Sequence, residues 1–305
     1  MLLLICAVLV GAVVPIQTGI NTRLRQSVGS PIITATYSFI IAVASVALLM
    51  AIARNNLLGR LDSLIGQPWW LWLGGFMGVA FIVGNIVIFP RIGAVQTVIL
   101  PILGQTFMGL FVDAFGLFHY PSIPMTPARL GGAAIVLLGV ACVLELPRRG
   151  AGGRTEGAHT WAWRCFAVAI GMGSATQTAV NGQLGRVLDS PILAGEISLV
   201  VGLVLLLALS TAVIWRGNAK VRPASGPWWM WLGGVLGAAF VIGGATLAPI
   251  IGTGTMVIAS ISGSMITGQV LELRGAFGAP RTKLSAIRII GLVLIFSGVS
   301  LVRFS

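Results

Sequence analysis

Glu196 is the residue in this chain best placed to do chemistry. It stands inside the apolar run Leu193-Ala194-Gly195-Glu196-Ile197-Ser198-Leu199. An ionisable group within a membrane-length apolar segment is costly and marks a proton, ion or substrate site by default. The plainer alternative is a carboxylate close enough to an interface to stay wet. Two pairs of amides offer hydrogen bonding. Gln17 and Asn21 lie four residues apart on one helix face, and Gln177 and Asn181 repeat the spacing. Lipid cannot satisfy amide groups, so both faces turn inward, either to line a substrate cavity or to bond neighbouring helices. Trp72 and Trp231 are the last and deepest members of two tryptophan clusters. Such clusters form an aromatic belt at the headgroup level, or a stacking surface for a cationic or aromatic substrate.

Other chemistry is missing. The chain has no nucleophile elbow, no His-Glu-x-x-His and no phosphate-binding Gly-x-x-x-x-Gly-Lys-Ser/Thr. Cys6, Cys142 and Cys165 lie in or beside apolar segments with no metal or disulfide spacing. The histidines, His119 and His159, fall in loops. Neither an enzyme nor a cofactor or metal is implied.

The elements that must position these residues are membrane helices. Charged residues make up only 9% of the 305 residues and apolar ones 57%, with mean hydropathy +1.00. A soluble domain carries about 25% charged residues, so the solvent of this chain is lipid. The net charge of +12 does not signal nucleic acid, because the basic residues fall mostly between apolar blocks. The first residues lack the basic start of a cleaved signal and read as a retained first helix.

The chain also says nearly the same thing twice. Pro68-Trp69-Trp70-Leu71-Trp72-Leu73-Gly74-Gly75 returns as Pro227-Trp228-Trp229-Met230-Trp231-Leu232-Gly233-Gly234, Gln17-x-x-x-Asn21-x-x-Leu24 as Gln177-x-x-x-Asn181-x-x-Leu184, and Pro90-x-x-Gly93 as Pro249-x-x-Gly252. The offset is 160 residues early in each copy and 159 from the tryptophan block onward. Gly74-Gly75-x-x-Gly78 and Gly233-Gly234-x-x-Gly237 contain the small-residue spacing that lets helices approach closely.

Ten apolar blocks of spanning length can be marked. They run roughly over Leu2–Arg23, Pro31–Ala53, Trp69–Pro90, Ala94–Phe115, Arg129–Leu146, Trp163–Leu184, Pro191–Trp215, Trp228–Pro249, Gly254–Leu273 and Ser285–Val302. Residues 1–146 form a first five-helix repeat, 147–160 a Gly- and Arg-rich linker, and 161–305 a second repeat. Any kink at Pro101 is unshared, since its mate is Ser260. Five spans per copy predict an all-α membrane protein of ten transmembrane helices in two inverted repeats. Arg54, Arg60, Arg129, Arg186 and Arg303 fall on the side of the N-terminus, and the other fourteen basic residues on the opposite side. Both termini are therefore expected away from the cytoplasm.

Two further acids, Asp113 and Glu272, are repeat mates near helix ends, beside His119 and Arg274 respectively. They read as structural ion pairs. Arg91, whose mate is Ile250, could attract an anion, but the positive-inside rule accounts for it.

Gln17-Thr18-Gly19-Ile20-Asn21-Thr22-Arg23-Leu24, Ser38-Phe39, the two tryptophan blocks, Pro90-Arg91-Ile92-Gly93-Ala94, Gly104-Gln105 and Asp113-Ala114-Phe115-Gly116 together resemble the DUF606 (YdcZ-like) family of the drug/metabolite transporter superfamily, in a fused two-copy form covering essentially the whole chain. The resemblance implies antiparallel halves in a bacterial inner-membrane transporter, an exporter of a small molecule. The expected function is secondary-active transport by alternating access, with Gln17, Asn21, Trp72, Gln177, Asn181, Glu196 and Trp231 at the substrate and Glu196 as the candidate proton carrier. The alternatives are a non-transporting scaffold or accessory subunit, and a passive channel. The expected partners are a small-molecule substrate, the lipid bilayer and a coupling proton, with no nucleic acid. The fused chain acts as a monomer of two halves or as a homodimer.

Overall fold

The computed structural model of the chain describes residues 2–52, 58–119, 122–144, 158–217, 225–251, 253–278, 281 and 285–304. Those residues form nine continuous helices and no strand: α1 (Leu2–Val28), α2 (Pro31–Ile52), α3 (Leu73–Phe115), α4 (Pro127–Val143), α5 (Ala158–Val187), α6 (Pro191–Trp215), α7 (Gly233–Ile251), α8 (Thr253–Arg274) and α9 (Ala286–Phe304). The proposed linker lies outside the described residues as far as residue 157, and its last three residues open α5. Glu145, Arg54 and Gly252 also lie outside them.

Local chemistry sets the helix starts. Ser190 Oγ accepts from Leu193 N at 3.3 Å, with Pro191 in the first helical turn of α6. The repeat mates Ser30 and Pro31 begin α2 in the same way, with Ser30 Oγ accepting from Ile33 N at 3.5 Å. A serine N-cap followed by proline satisfies one orphan N–H and removes another. The tryptophan blocks form short 3-10 turns, Trp69–Trp72 and Trp228–Trp231, ahead of the α-helices. That tighter winding changes which residue points inward. Leu71 and Met230 are buried, whereas Trp72 is 37% exposed and Trp69 and Trp228 lie mostly in the open.

α3 is 43 residues long, with Gly93 at φ 83°, ψ 169° inside it. As a straight rod it would reach about 65 Å, twice the hydrocarbon thickness of a bilayer. It folds back instead. A Cβ on Gly78 would meet Gln177 and one on Gly84 would meet Ile170, so the leg 73–92 runs antiparallel to α5. Arg164 bonds Gln96, Gly104 abuts Val168, and Gln105 bonds Ser174, so the leg 94–115 runs parallel to α5. Gly93 is the pivot, in a conformation that L side chains rarely adopt. Pro101 sits within the second leg without a break in its helical dihedrals.

Contacts between the two copies are reciprocal. Gly78 faces Gln177 and Gly237 faces Gln17; Gly104 faces Val168 and Gly263 faces Val8. This is the signature of a two-fold relation, in which residue i meets j and j meets i. Three pairs of repeat mates pack against each other antiparallel. In α4 and α9, Cβ atoms built on Gly132 and Gly139 would stand 2.8 Å from Gly298 O and 2.7 Å from Gly291 O. In α2 and α6, Thr36 reaches Ser210 Oγ at 2.7 Å while Gly202 abuts Phe39. In the second leg of α3 and α8, Val95 N meets Glu272 while Gly268 abuts Val98. The two-fold axis is therefore perpendicular to these helices.

An apolar core centred on Ile88, Ile99, Val136, Val140, Ile295 and Val299 fills the junction of α3, α4 and α9. Many large apolar side chains elsewhere face outward at mid-helix, among them Leu48, Leu138, Val204 and Ile266. Among the described residues, four segments are long and apolar enough to cross a membrane: Leu2–Val28, Pro31–Ile52, Trp69–Phe115 and Pro191–Trp215.

Candidate functional site

The two duplicated motifs explain each other. The amide face of α1 lies on the glycines of α7, and the amide face of α5 on the glycines at the start of α3. A Cβ on Gly237 would stand 2.7 Å from Gln17 Nε2, and one on Gly78 would stand 2.8 Å from Gln177 Nε2. A methyl group on Gly233 would overlap Asn21 Oδ1, and one on Gly74 would overlap Asn181 Oδ1. Each Gln-x-x-x-Asn stripe is thus the knob for the Gly-Gly-x-x-Gly hole of the other copy. Long-range pairing of this kind leaves no local signal in the sequence.

On the side of α1 turned towards the first leg of α3, a small cavity of about 30 Å³ opens, lined by Val14, Gln17, Thr18, Asn21, Phe81, Ile82, Asn85 and Ile86. Space of that size admits a water molecule or a small polar head, not a drug-sized molecule. Asn21 is fully buried. Its Oδ1 accepts from Ser38 Oγ at 2.7 Å, and its Nδ2 has no partner among the described residues. Asn85 is buried and donates from Nδ2 to Phe81 O at 2.9 Å. Thr18 Oγ1 donates to Val14 O at 3.0 Å. One turn beyond Asn21, Arg25 Nη1 donates to Ile86 O at 3.0 Å. The sequence reading missed Asn85 and Arg25, although an amide within the apolar stretch Phe81–Phe89 was a usable signal.

Gln17 and Asn21 therefore share a cavity, while Gln177, Asn181, Glu196, Trp72 and Trp231 lie elsewhere. Asn181 Oδ1 and Ser198 Oγ are buried without hydrogen-bond partners among the described residues. Trp231 meets Tyr37 edge-on at 5.5 Å. Trp70 packs on Phe118 at 5.4 Å, and its mate Trp229 on Phe277 at 5.7 Å. Both phenylalanines are left-handed, at φ 58° and 56°.

Glu196 is buried, and its Oε2 has no partner among the described residues. On α6 it shares a face with Ile192 and Leu199, which pack on Ala42, Val46, Met50, Ala238 and Ile242. Its repeat mate Thr36 reaches Ser210 Oγ. The mate of Ser210 is Met50, so the position that offers Thr36 a hydroxyl carries a thioether in the half of the molecule that faces Glu196.

Asp113 and Glu272 form ion pairs, with partners other than those expected. Asp113 Oδ2 pairs with Arg129 Nη2 at 2.5 Å rather than with His119, and Glu272 Oε2 with Arg288 Nη1 at 3.2 Å rather than with Arg274. Arg129 and Arg288 are themselves repeat mates. Helix geometry decides this: each arginine opens the next helix and faces the end of the one before it. Glu272 Oε1 also accepts from Val95 N at 2.9 Å, capping the leg that begins after Gly93. At that end of the bundle Arg91 lies over the Trp163 ring at 4.2 Å, and Arg164 donates to Gln96 Oε1 at 3.0 Å. No group of three metal-binding side chains occurs among the described residues.

A bundle of apolar helices with outward-facing aliphatic side chains and buried amides is a multi-pass membrane protein. Residues 2–142 and again 162–301 match the family described as "Putative inner membrane exporter, YdcZ". The chain belongs to that family, in a fused two-copy form. No curated protein matches it. A solved structure, described only as a crystal structure of a protein, is 18% identical and superposes with a TM-score of 0.60 over 98% of this chain and 94% of its own. That likeness concerns the fold alone.

Proposed function

We propose that this protein is a secondary-active exporter of a small molecule, working by alternating access between two five-helix halves inverted across the inner membrane. The observation that carries the reading is the antiparallel packing of repeat mates about one two-fold axis. A two-fold perpendicular to spanning helices lies in the membrane plane and relates an outward-facing form to its inward-facing counterpart. The two helical legs joined at Gly93 complete five spans in the first half, and ten in all. The gathering of Arg25, Arg91 and Arg164 at one end supports placing that end in the cytoplasm, with both termini on the far side. The glycine holes that receive Gln17, Asn21, Gln177 and Asn181 are the surfaces across which the halves rock.

A proton gradient drives the cycle, and Glu196 carries the proton. Its support is burial in a spanning helix without a hydrogen-bond partner for Oε2, a costly state that carboxylates adopt in proton relays. Proteoliposomes holding a pH-reporting dye, screened with small organic ions and neutral amphiphiles, are expected to show compound-dependent proton movement. Glu196→Gln is expected to abolish it. Undiminished ΔpH-driven flux in that variant would remove Glu196 from the role.

A further inference from the structure

Of the polar residues that line the cavity, Gln17, Thr18 and Asn21 recur in the second copy, whereas Asn85 and the two arginines beside the cavity do not. The contacts that hold the halves together are duplicated, but Arg25 has Gly185 as its mate, Asn85 has Gly244 and Arg91 has Ile250. All three meet on one short stretch of the first leg of α3. Arg25 donates to Ile86 O, Arg91 Nη1 donates to the neighbouring Val87 O, and Asn85 is the residue just before. Two guanidiniums on adjacent carbonyls bring like charges together. Neither has a carboxylate partner among the described residues.

Arginines at the end of a helical leg stabilise its terminal carbonyls, which accounts for their hydrogen bonds. It does not account for the cavity beside them. There the Asn21 amide is fully buried with Nδ2 unpartnered. A buried N–H donor without an acceptor is costly and is best explained by a group that is present in the working protein. The stripe Val14, Gln17, Thr18, Asn21 and Arg25 follows one face of α1, so the orphan donor and the cation lie one turn apart. Donors and positive charge together complement an oxyanion.

We propose that this pocket binds the carboxylate head of an organic anion, with Arg25 as its charge partner, Asn21 Nδ2 as a direct donor and Asn85 completing the polar wall. The inference rests on the exporter reading and names the substrate class of that site. The cavity volume fits a head group alone, so the remainder of the anion enters as α1 and the first leg of α3 part.

The test is binding by the full chain, purified in neutral detergent and followed by calorimetry. The probes are acetate, hexanoate and benzoate, each against its primary amide and its amine analogue. At least one carboxylate is expected to bind about tenfold or more tighter than both analogues, the worth of one charge-assisted hydrogen bond. Arg25→Gln is expected to erase that preference, and Arg25→Lys to keep part of it. Asn85→Gly, which installs the residue of the other half, supplies an independent reduction should Arg25→Gln unfold. Equal binding of carboxylates and amides, or a preference that survives both Arg25→Gln and Asn85→Gly, overturns the proposal. Binding is read without flux, so a chain that binds carboxylates but moves nothing sinks the exporter reading alone. A chain that moves other compounds while ignoring carboxylates sinks only this inference.

Discussion

In the first half of the molecule Ser38 Oγ donates to Asn21 Oδ1 at 2.7 Å; in the second, the equivalent Ser198 Oγ and Asn181 Oδ1 are both buried with no hydrogen-bond partner among the described residues. The residue types are the same at these positions, though Asn21 is fully buried and Asn181 only half-buried. The halves thus share their scaffold and differ in how it is satisfied. The difference extends outward. The first half carries Asn85 in the wall of a small cavity and Arg25 beside it on Ile86 O, while the second carries Glu196 in an apolar setting. Duplicated residues build the seams, and unduplicated polar residues mark where the two halves do different work.

The ion pairs give the largest expected break. Arg288→Met removes the cation on Glu272 Oε2, a carboxylate at 4% exposure, and Arg129→Met the cation on Asp113, at 18%. Removing one partner of a buried pair costs about 3–5 kcal/mol. Denaturant-induced unfolding in micelles should show the Arg288 variant as the less stable of the two, because its carboxylate lies deeper. Equal losses would mean that depth does not separate the halves. Next come the glycine seams. A methyl group at Gly104 would overlap Val168 O, and one at Gly263 would overlap Val8 O. Gly104→Ala and Gly263→Ala should each cost about 1–3 kcal/mol as overpacking, by similar amounts if the two-fold relation holds. A loss confined to one copy would show the seams to be unequal. The smallest effect is the sharpest. Ser38→Ala removes a made hydrogen bond and should cost about 1 kcal/mol. Ser198→Ala removes a hydroxyl that bonds nothing and should be neutral or stabilising in the same assay. The reverse order would place the working hydrogen bond in the wrong half.

Much of this architecture was legible in the sequence. The doubled motifs gave the repeat, apolar run length gave the helices, and the boundary drawn between Pro90 and Ala94 falls where α3 turns. Gly93 rather than Pro90 is the pivot because the turn needs a positive φ. The amide stripes were correctly read as inward-facing. Their partners could not be read, because a helix face says that something covers it and not which of nine helices does. The 3-10 turns of the tryptophan blocks, which bury Leu71 and Met230 rather than a tryptophan, had no signature in the sequence. The partners of Asp113 and Glu272 were sought among sequence neighbours, whereas each lies sixteen residues on, across a helix turnaround. Arg25 was discounted as one basic residue among many, since only the bond to Ile86 O ties it to the cavity.

The reciprocal glycine contacts of α4 and α9 have a consequence for how such a chain can change over time. In an assembly of two identical five-helix chains, every substitution would be copied to both sides of the axis. An acid gained on one side would arrive with a twin, and a pocket sculpted in one subunit would be carved into the other as well. Tying both copies into one polypeptide removes that obligation. Gly132 and Gly291 can be held fixed in the shared contact while position 36 keeps a threonine and position 196 takes a glutamate, so a single gene can hold a seam constant and vary each face alone.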